Sequence, residues 1–210
     1  MNPNILSPDL SSLDLELFMR AALSEAELAG RAGELPIGAV VVIDGAIISR
    51  GRASHQRSRS QVRHAELNAI LEGGESLWKD YRRAILFTTV EPCPMCLGAA
   101  VMADIPHIIY SLHDQNVQSG LTVTSHPYIQ RHIKSYYGGV LAEASKAIFE
   151  KYDPKTSNYI LTRMAYPLTT RLRRAAGVPE DQIQAGNAYL RCAGGTAPRS
   201  YPGAGDRDAA

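Results

Sequence analysis

An α/β domain is the architecture this sequence predicts, on three observations. Short apolar, β-branched runs of strand length alternate with stretches of helical period. A strong turn, Asp44-Gly45, joins the first two such runs into a hairpin. The later runs at 84–90 and 107–111 are separated by a segment that opens on a proline suited to the first turn of a helix.

Taken in order, Ser11 and Asp14 form an S-x-x-D capping pattern. Leu13, Leu17, Ala21 and Leu28 then recur at roughly helical spacing until Gly30 and Gly33, which predicts a helix over 12–30. Residues 38–43 and 46–49 are the arms of the hairpin. The stretch 51–63 is polar and rich in arginine, so it reads as a loop. HAELNAILEGG then predicts a helix that begins near His64 and ends at Gly73-Gly74. Residues 84–90 form a buried strand by composition, Pro94 to about Ala103 a helix, and 107–111 a further strand. No period is legible over 112–130. A last strand is expected over 131–136 and a helix over 141–152, with further helices near 157–176 and 179–192. Trp78, the only tryptophan, is expected to pack between helix and strand. The resulting division is an N-terminal arm (1–11), a main α/β domain (12–152), a partly helical extension (153–194) and a tail of disordered composition (195–210).

Bulk properties narrow the function. The 210 residues carry 22 Lys+Arg against 21 Asp+Glu, a formal charge of +1, so no whole-protein field draws the chain to nucleic acid or an anionic membrane. The first residues lack a leader's positive and apolar pattern, and no apolar run reaches the ~20 residues a bilayer requires; a cytoplasmic location is expected. Three cysteines, two of them in a C-x-x-C pair, do not suggest a disulfide framework and turn attention to metal or redox chemistry.

His64-Ala65-Glu66 and, 29 positions after His64, Cys93-Pro94-Met95-Cys96 supply one imidazole and two thiols at helix beginnings. Structural zinc is normally closed by four protein ligands, whereas catalytic zinc keeps a position for water, so three ligands favour catalysis. The spacing lets two sulfurs from one helical turn reach one ion, and the positive helix end favours thiolate. Glu66 lies two residues from His64 and is placed to move protons as a non-ligand. A zinc ribbon would need a further Cys or Cys/His pair, yet the remaining cysteine is Cys192, far along in the extension. A redox pair would leave His-x-Glu unexplained.

Together, His64-x-Glu66 and Pro92-Cys93-x-x-Cys96 resemble the signature of zinc-dependent nucleobase and nucleoside deaminases. Residues 35–51 look like the opening hairpin of the cytidine deaminase-like superfamily, and 88–111 like its third strand, zinc helix and fourth strand. The chain is most similar to the branch containing tRNA adenosine deaminases, guanine deaminases and fungal-type cytosine deaminases. That resemblance implies a three-layer α/β/α sandwich around a mixed five-stranded sheet, one zinc ion per chain, and a homodimer. It also implies hydrolytic deamination in which zinc-activated hydroxide attacks, Glu66 shuttles protons and ammonia leaves. Backbone groups at Ala65, Glu91 and Pro92 are candidates for holding the tetrahedral state.

Substrate is less legible. Relatives commonly carry a G-x-N pattern after the second strand; here Gly51-Arg52-Ala53 lacks the Asn, leaving His55 or Gln56 as substitutes. Asp114, His126 and His132 fall where a pocket wall is often built. Arg52, Arg57, Arg59 and Arg63 in the loop, and Arg163, Arg171, Arg173 and Arg174 in the extension, are candidates for phosphate or RNA, set against the plainer expectation of a solvated face. The leading expectation is a free base or nucleoside as substrate. The alternatives are a tRNA-specific adenosine deaminase and a non-catalytic zinc-bearing partner subunit, against which retention of Glu66 argues.

Overall fold

Five strands form one mixed sheet in the order β2-β1-β3-β4-β5, with helices on both faces. The computed structural model describes residues 3–162, all within a unit spanning 1–164. The predicted helix near 179–192, most of that near 157–176, the tail, Cys192 and the arginines from 163 onward lie outside the described residues.

The first helix, α1 (Leu15–Arg31), starts where the capping pattern places it: the Asp14 carboxylate accepts the Leu17 amide at 3.0 Å. The hairpin follows as β1 (Gly38–Ile43) and β2 (Ala46–Arg52), turning at Asp44-Gly45 with both φ angles positive. A single helical turn, α2 (His55–Ser58), interrupts the polar loop, and α3 (Ala65–Asp80) begins immediately after His64. Then come β3 (Ile85–Val90), α4 (Pro94–Met102) and β4 (His107–Leu112). The stretch without legible period holds two short helices, α5 (Ser119–Ser125) and α6 (Pro127–His132). Next are β5 (Ser135–Tyr137), α7 (Ala142–Tyr152) and α8 (Pro154–Leu161).

β1 pairs antiparallel with β2 and β3, whereas β3–β4 and β4–β5 are parallel. β1, β3 and β4 are buried along their whole length, as strands covered on both faces must be. The period of two splits the core. Val41, Leu86 and Ile108 face α3 and α4, packing with Ala69, Leu97 and Ala100. Val40, Phe87 and Ile109 face the other way, onto Phe18, Met19 and Ala22 of α1 and Ile148 of α7. This is the expected three-layer sandwich.

Three expectations are corrected. Gly73-Gly74 does not end α3: Gly74 takes φ 45 and ψ −128, and the helix resumes beyond the kink. That break resets the helical phase, so Leu77 faces the core while Trp78 is 81% exposed rather than packed between helix and strand. The last strand is only 135–137, because Arg131 and His132 complete α6 instead.

Candidate metal centre

His64 is the N-cap of α3 and Cys93 the N-cap of α4, both in extended backbone and neither capping its helix with the side chain. Their side chains are free to point elsewhere, and they point at each other. Pro94 occupies the first turn of α4, where its missing N–H costs nothing, and Cys96 follows one turn later, fully buried. The His64 Nδ1 lies 3.6 Å from Cys93 Sγ and 3.5 Å from Cys96 Sγ. Among the described residues these three form the one group of His, Cys, Asp or Glu whose ligand atoms all lie within 4.8 Å of one another.

Gly51 sets the placement of this helix pair. A Cβ there would lie 2.2 Å from the Ala65 carbonyl and 2.4 Å from the Ala69 amide, so only glycine lets α3 rest this closely on β2.

The electrostatics fit a divalent, thiolate-binding metal. Hydrogen bonding from Cys96, and then from His64, pulls the Cys93 thiol down to about 4. Cys96 moves the other way, held protonated by its bond to Cys93 and by burial, because two adjacent thiolates repel. A cation between them removes that repulsion, and imidazole with two thiolates is a zinc donor set that leaves a position open.

Glu66, in the first turn of α3, is buried, 4% exposed. Burial raises its pKa, partly offset by its own backbone amide, and the adjacent Cys93 adds to the rise. It therefore holds a proton more readily than a solvated glutamate, a property suited to proton transfer.

Around this core the structure sorts the predicted residues. His55 comes to the site: its ring stands edge-on to His64, with centroids 5.0 Å apart, and its buried Nδ1 has no hydrogen-bond partner. Burial, then His64, lowers its pKa. Gln56 does not come in, because its amide groups are bound to Glu34 and the Gly33 carbonyl. Ala53, where an Asn is absent, is buried, its amide donating to the Ile37 carbonyl. Asp114 is buried and spends Oδ1 on the amides of Asn116 and Val117, at 2.8 and 3.0 Å. His132 binds the Tyr128 carbonyl and lies 3.6 Å from Asp104, outside the cluster; His126 is exposed at the start of α6. Ala65 is buried at the first position of α3, where its amide has no partner within the helix. At Glu91 the backbone amide donates to the Leu112 carbonyl at 2.8 Å. Pro92 has no N–H and offers only a carbonyl.

Sequence reasoning missed the Glu91 side chain. Buried just before the cysteine pair, it accepts from the Gly120 amide and Tyr136 hydroxyl, each at 3.1 Å. Its other oxygen takes the Asp114 amide at 3.3 Å. The carboxylate thus ties the metal-binding loop to β5 and to the connection after β4. The signal was an acidic residue directly after a strand buried along its whole length.

Residues 13–112 match the family described as the cytidine and deoxycytidylate deaminase zinc-binding region. A tRNA-specific adenosine deaminase of Streptococcus pyogenes is 45% identical over 100 residues, 47% of this chain and 62% of that protein. One of Aquifex aeolicus is 35% identical over 150 residues, 69% of this chain and 98% of that protein. A solved structure from a study of A-to-I editing by tRNA deaminases at the wobble position is similar with a TM-score of 0.57 and 36% identity. It covers 63% of this chain and 98% of that one. The chain spans 58 to 62% of the length of the Streptococcus relatives it matches. Among the described residues, no helix is long and apolar enough to cross a membrane.

Proposed function

The chain belongs to the cytidine and deoxycytidylate deaminase zinc-binding family, and from that premise we propose that it hydrolytically deaminates adenosine within transfer RNA, forming inosine and ammonia. The observation that carries the choice of substrate is the 35% identity over nearly the full length of a tRNA-specific adenosine deaminase. It outweighs the near-neutral net charge, which favours a free base.

His64, Cys93 and Cys96 would hold the zinc, which when bound would supply the Lewis acidity that makes water nucleophilic at neutral pH. Glu66 takes a proton from the attacking water and passes it to N1 of adenine, beside the amine-bearing C6. The second proton then goes to the amine, the C6–N bond breaks, ammonia leaves and the carbonyl forms. A carboxyl whose proton affinity is raised by burial serves both transfers. The Ala65 amide is the donor for the developing oxygen, and the Pro92 carbonyl an acceptor for the amine. His55, with its unpartnered ring nitrogen beside the cluster, is the substrate contact that replaces the missing Asn. Asp114, with one oxygen bound to its own turn, shapes the wall.

The test is inosine formation on an adenosine-containing anticodon stem-loop, run beside ammonia release from free bases and nucleosides. Conversion of the stem-loop supports the proposal; release from a free base alone overturns it. A homodimer also belongs to this reading, and Met102, 73% exposed on α4, suits a covered face. Sedimentation at the mass of one chain would contradict it.

A further inference from the structure

Beside the metal centre lies a second feature that deamination chemistry does not use. A solvent-open cavity of about 420 Å³ is lined by Arg50, Arg52, Arg57 and Arg63, with Asn68 and a single carboxylate, Glu72. Four guanidiniums facing one carboxylate form a local positive field on a chain whose net charge is only +1.

The arginines divide by what already engages them. Arg50 and Arg52 lie 3.7 and 3.5 Å from Glu25 of α1, which neutralises part of their charge. Arg63 bonds only weakly to the neutral amide oxygen of Asn68, at 3.3 Å, and Arg57 has no ion pair among the described residues. The backbone beneath them is fixed. The Glu34 carboxylate accepts the Gln56 and Arg57 amides at 2.9 and 2.7 Å, the Ser54 amide donates to the Arg63 carbonyl at 3.0 Å, and the Asn68 side chain donates to the Arg52 carbonyl at 2.8 Å. The loop therefore presents its guanidiniums from a preformed frame, which lowers the entropy cost of binding.

Position supplies the ligand. Arg63 directly precedes the metal ligand His64, and Asn68 sits one turn along the same helix. A nucleotide strand whose base reached the metal centre would bring its flanking phosphates within reach of Arg63, one residue from His64. Guanidinium is the group that grips phosphate in a fork.

We propose that this cavity is a phosphate-binding site for the RNA backbone flanking the reacting adenosine, with Arg57 and Arg63 as its principal contacts. The inference rests on the transfer-RNA reading above. Its test is the affinity of the zinc-loaded protein for an anticodon stem-loop, measured against salt, for the wild type and for R57A/R63A. Arg83→Ala is the control, because it removes a guanidinium outside the cavity, one paired with Asp44 and Asp80 at the far end of the hairpin. Each single-strand phosphate contact contributes about 0.7 to the slope of log K against log salt. The double variant should therefore lose about 1.4 from that slope and about tenfold in affinity at ~0.15 M salt. Zinc content and thermal unfolding should be unchanged, and the control should match the wild type. An unchanged slope and affinity in R57A/R63A, with the wild type active on the stem-loop, overturns this site and leaves the proposed function standing. A wild type that converts no stem-loop fails the function itself, in an arm that contains no variant.

Discussion

The two faces of the sheet share the same strands and do different work. On the α1 side, Phe18 and Phe87 meet with ring centroids 5.4 Å apart, and Val40, Val42, Met19 and Ala22 fill the rest without a polar atom to satisfy. On the α3 and α4 side the core is equally dry in the middle, around Val41, Leu86 and Leu97. It gives way at the helix beginnings to His64, Glu66, Cys93, Cys96 and Glu91, all partly or wholly buried. One face is packed around apolar side chains, its buried charge on α1, Glu25, being paired with Arg50 and Arg52. The other accepts desolvated ionisable groups, which cost free energy unless each finds a partner, and these are the groups the proposed chemistry rests on. The difference predicts separable effects of mutation.

The largest effect should come from Cys96→Ala. It removes a buried ligand and leaves Cys93 and His64 without their partner, so bound zinc should fall to a small fraction of one per chain, with a drop in thermal stability as the metal's binding energy is lost. Zinc quantification and calorimetry check it; full metal loading would remove Cys96 from the ligand set. Phe87→Ala, on the opposite face, should cost about 3–5 kcal/mol of unfolding free energy. Per folded molecule its zinc content should not change. A denaturant titration with parallel zinc analysis reads both, and loss of metal would show that the faces are not independent.

Gly51→Ala sharpens the boundary between them. The added methyl meets the Ala65 carbonyl and Ala69 amide, so α3 must shift, at about 1–3 kcal/mol. Because α3 carries His64 and Glu66, turnover should fall more than stability does, and wild-type kcat in a folded variant would contradict this. The smallest effect belongs to His107, distant from the metal ligands in the fold, whose Nδ1 lies 2.8 Å from the Ser135 hydroxyl. Burial, with Lys134 nearby, lowers its pKa below 6.5. The unfolded chain therefore takes up the proton first as pH falls, and His107 contributes stability that is present above about pH 6.5 and lost below it. His107→Gln should flatten the fall in unfolding free energy between pH 7 and 5, and an unaltered profile would count against it.

Much of this was legible in residues. Asp44-Gly45 places the hairpin because its turn demands positive φ at both positions, and His64-x-Glu66 with Cys93-x-x-Cys96 marks the ligands because local spacing sets what one helical turn can present. What the sequence hid depends on contacts between distant segments. Gly74 reads as a stop, yet tertiary packing of Leu77 restarts the helix beyond it. α5 buries only Ser119, Gly120 and Val123, too few apolar residues for a period to show. The Glu91 carboxylate finds its partners on Gly120 and Tyr136, 29 and 45 positions away, which no local pattern encodes. His55 is an ordinary loop histidine until the fold sets its ring against His64.

The central claim is that Glu66 moves protons at a metal centre it does not build. Glu66→Gln keeps the shape of the side chain and removes its basicity. With zinc content and inosine formation on the stem-loop measured on the same preparation, the claim predicts one zinc per chain and turnover reduced by about 10²–10⁴-fold. A variant that keeps wild-type turnover, or that loses its zinc, would contradict it.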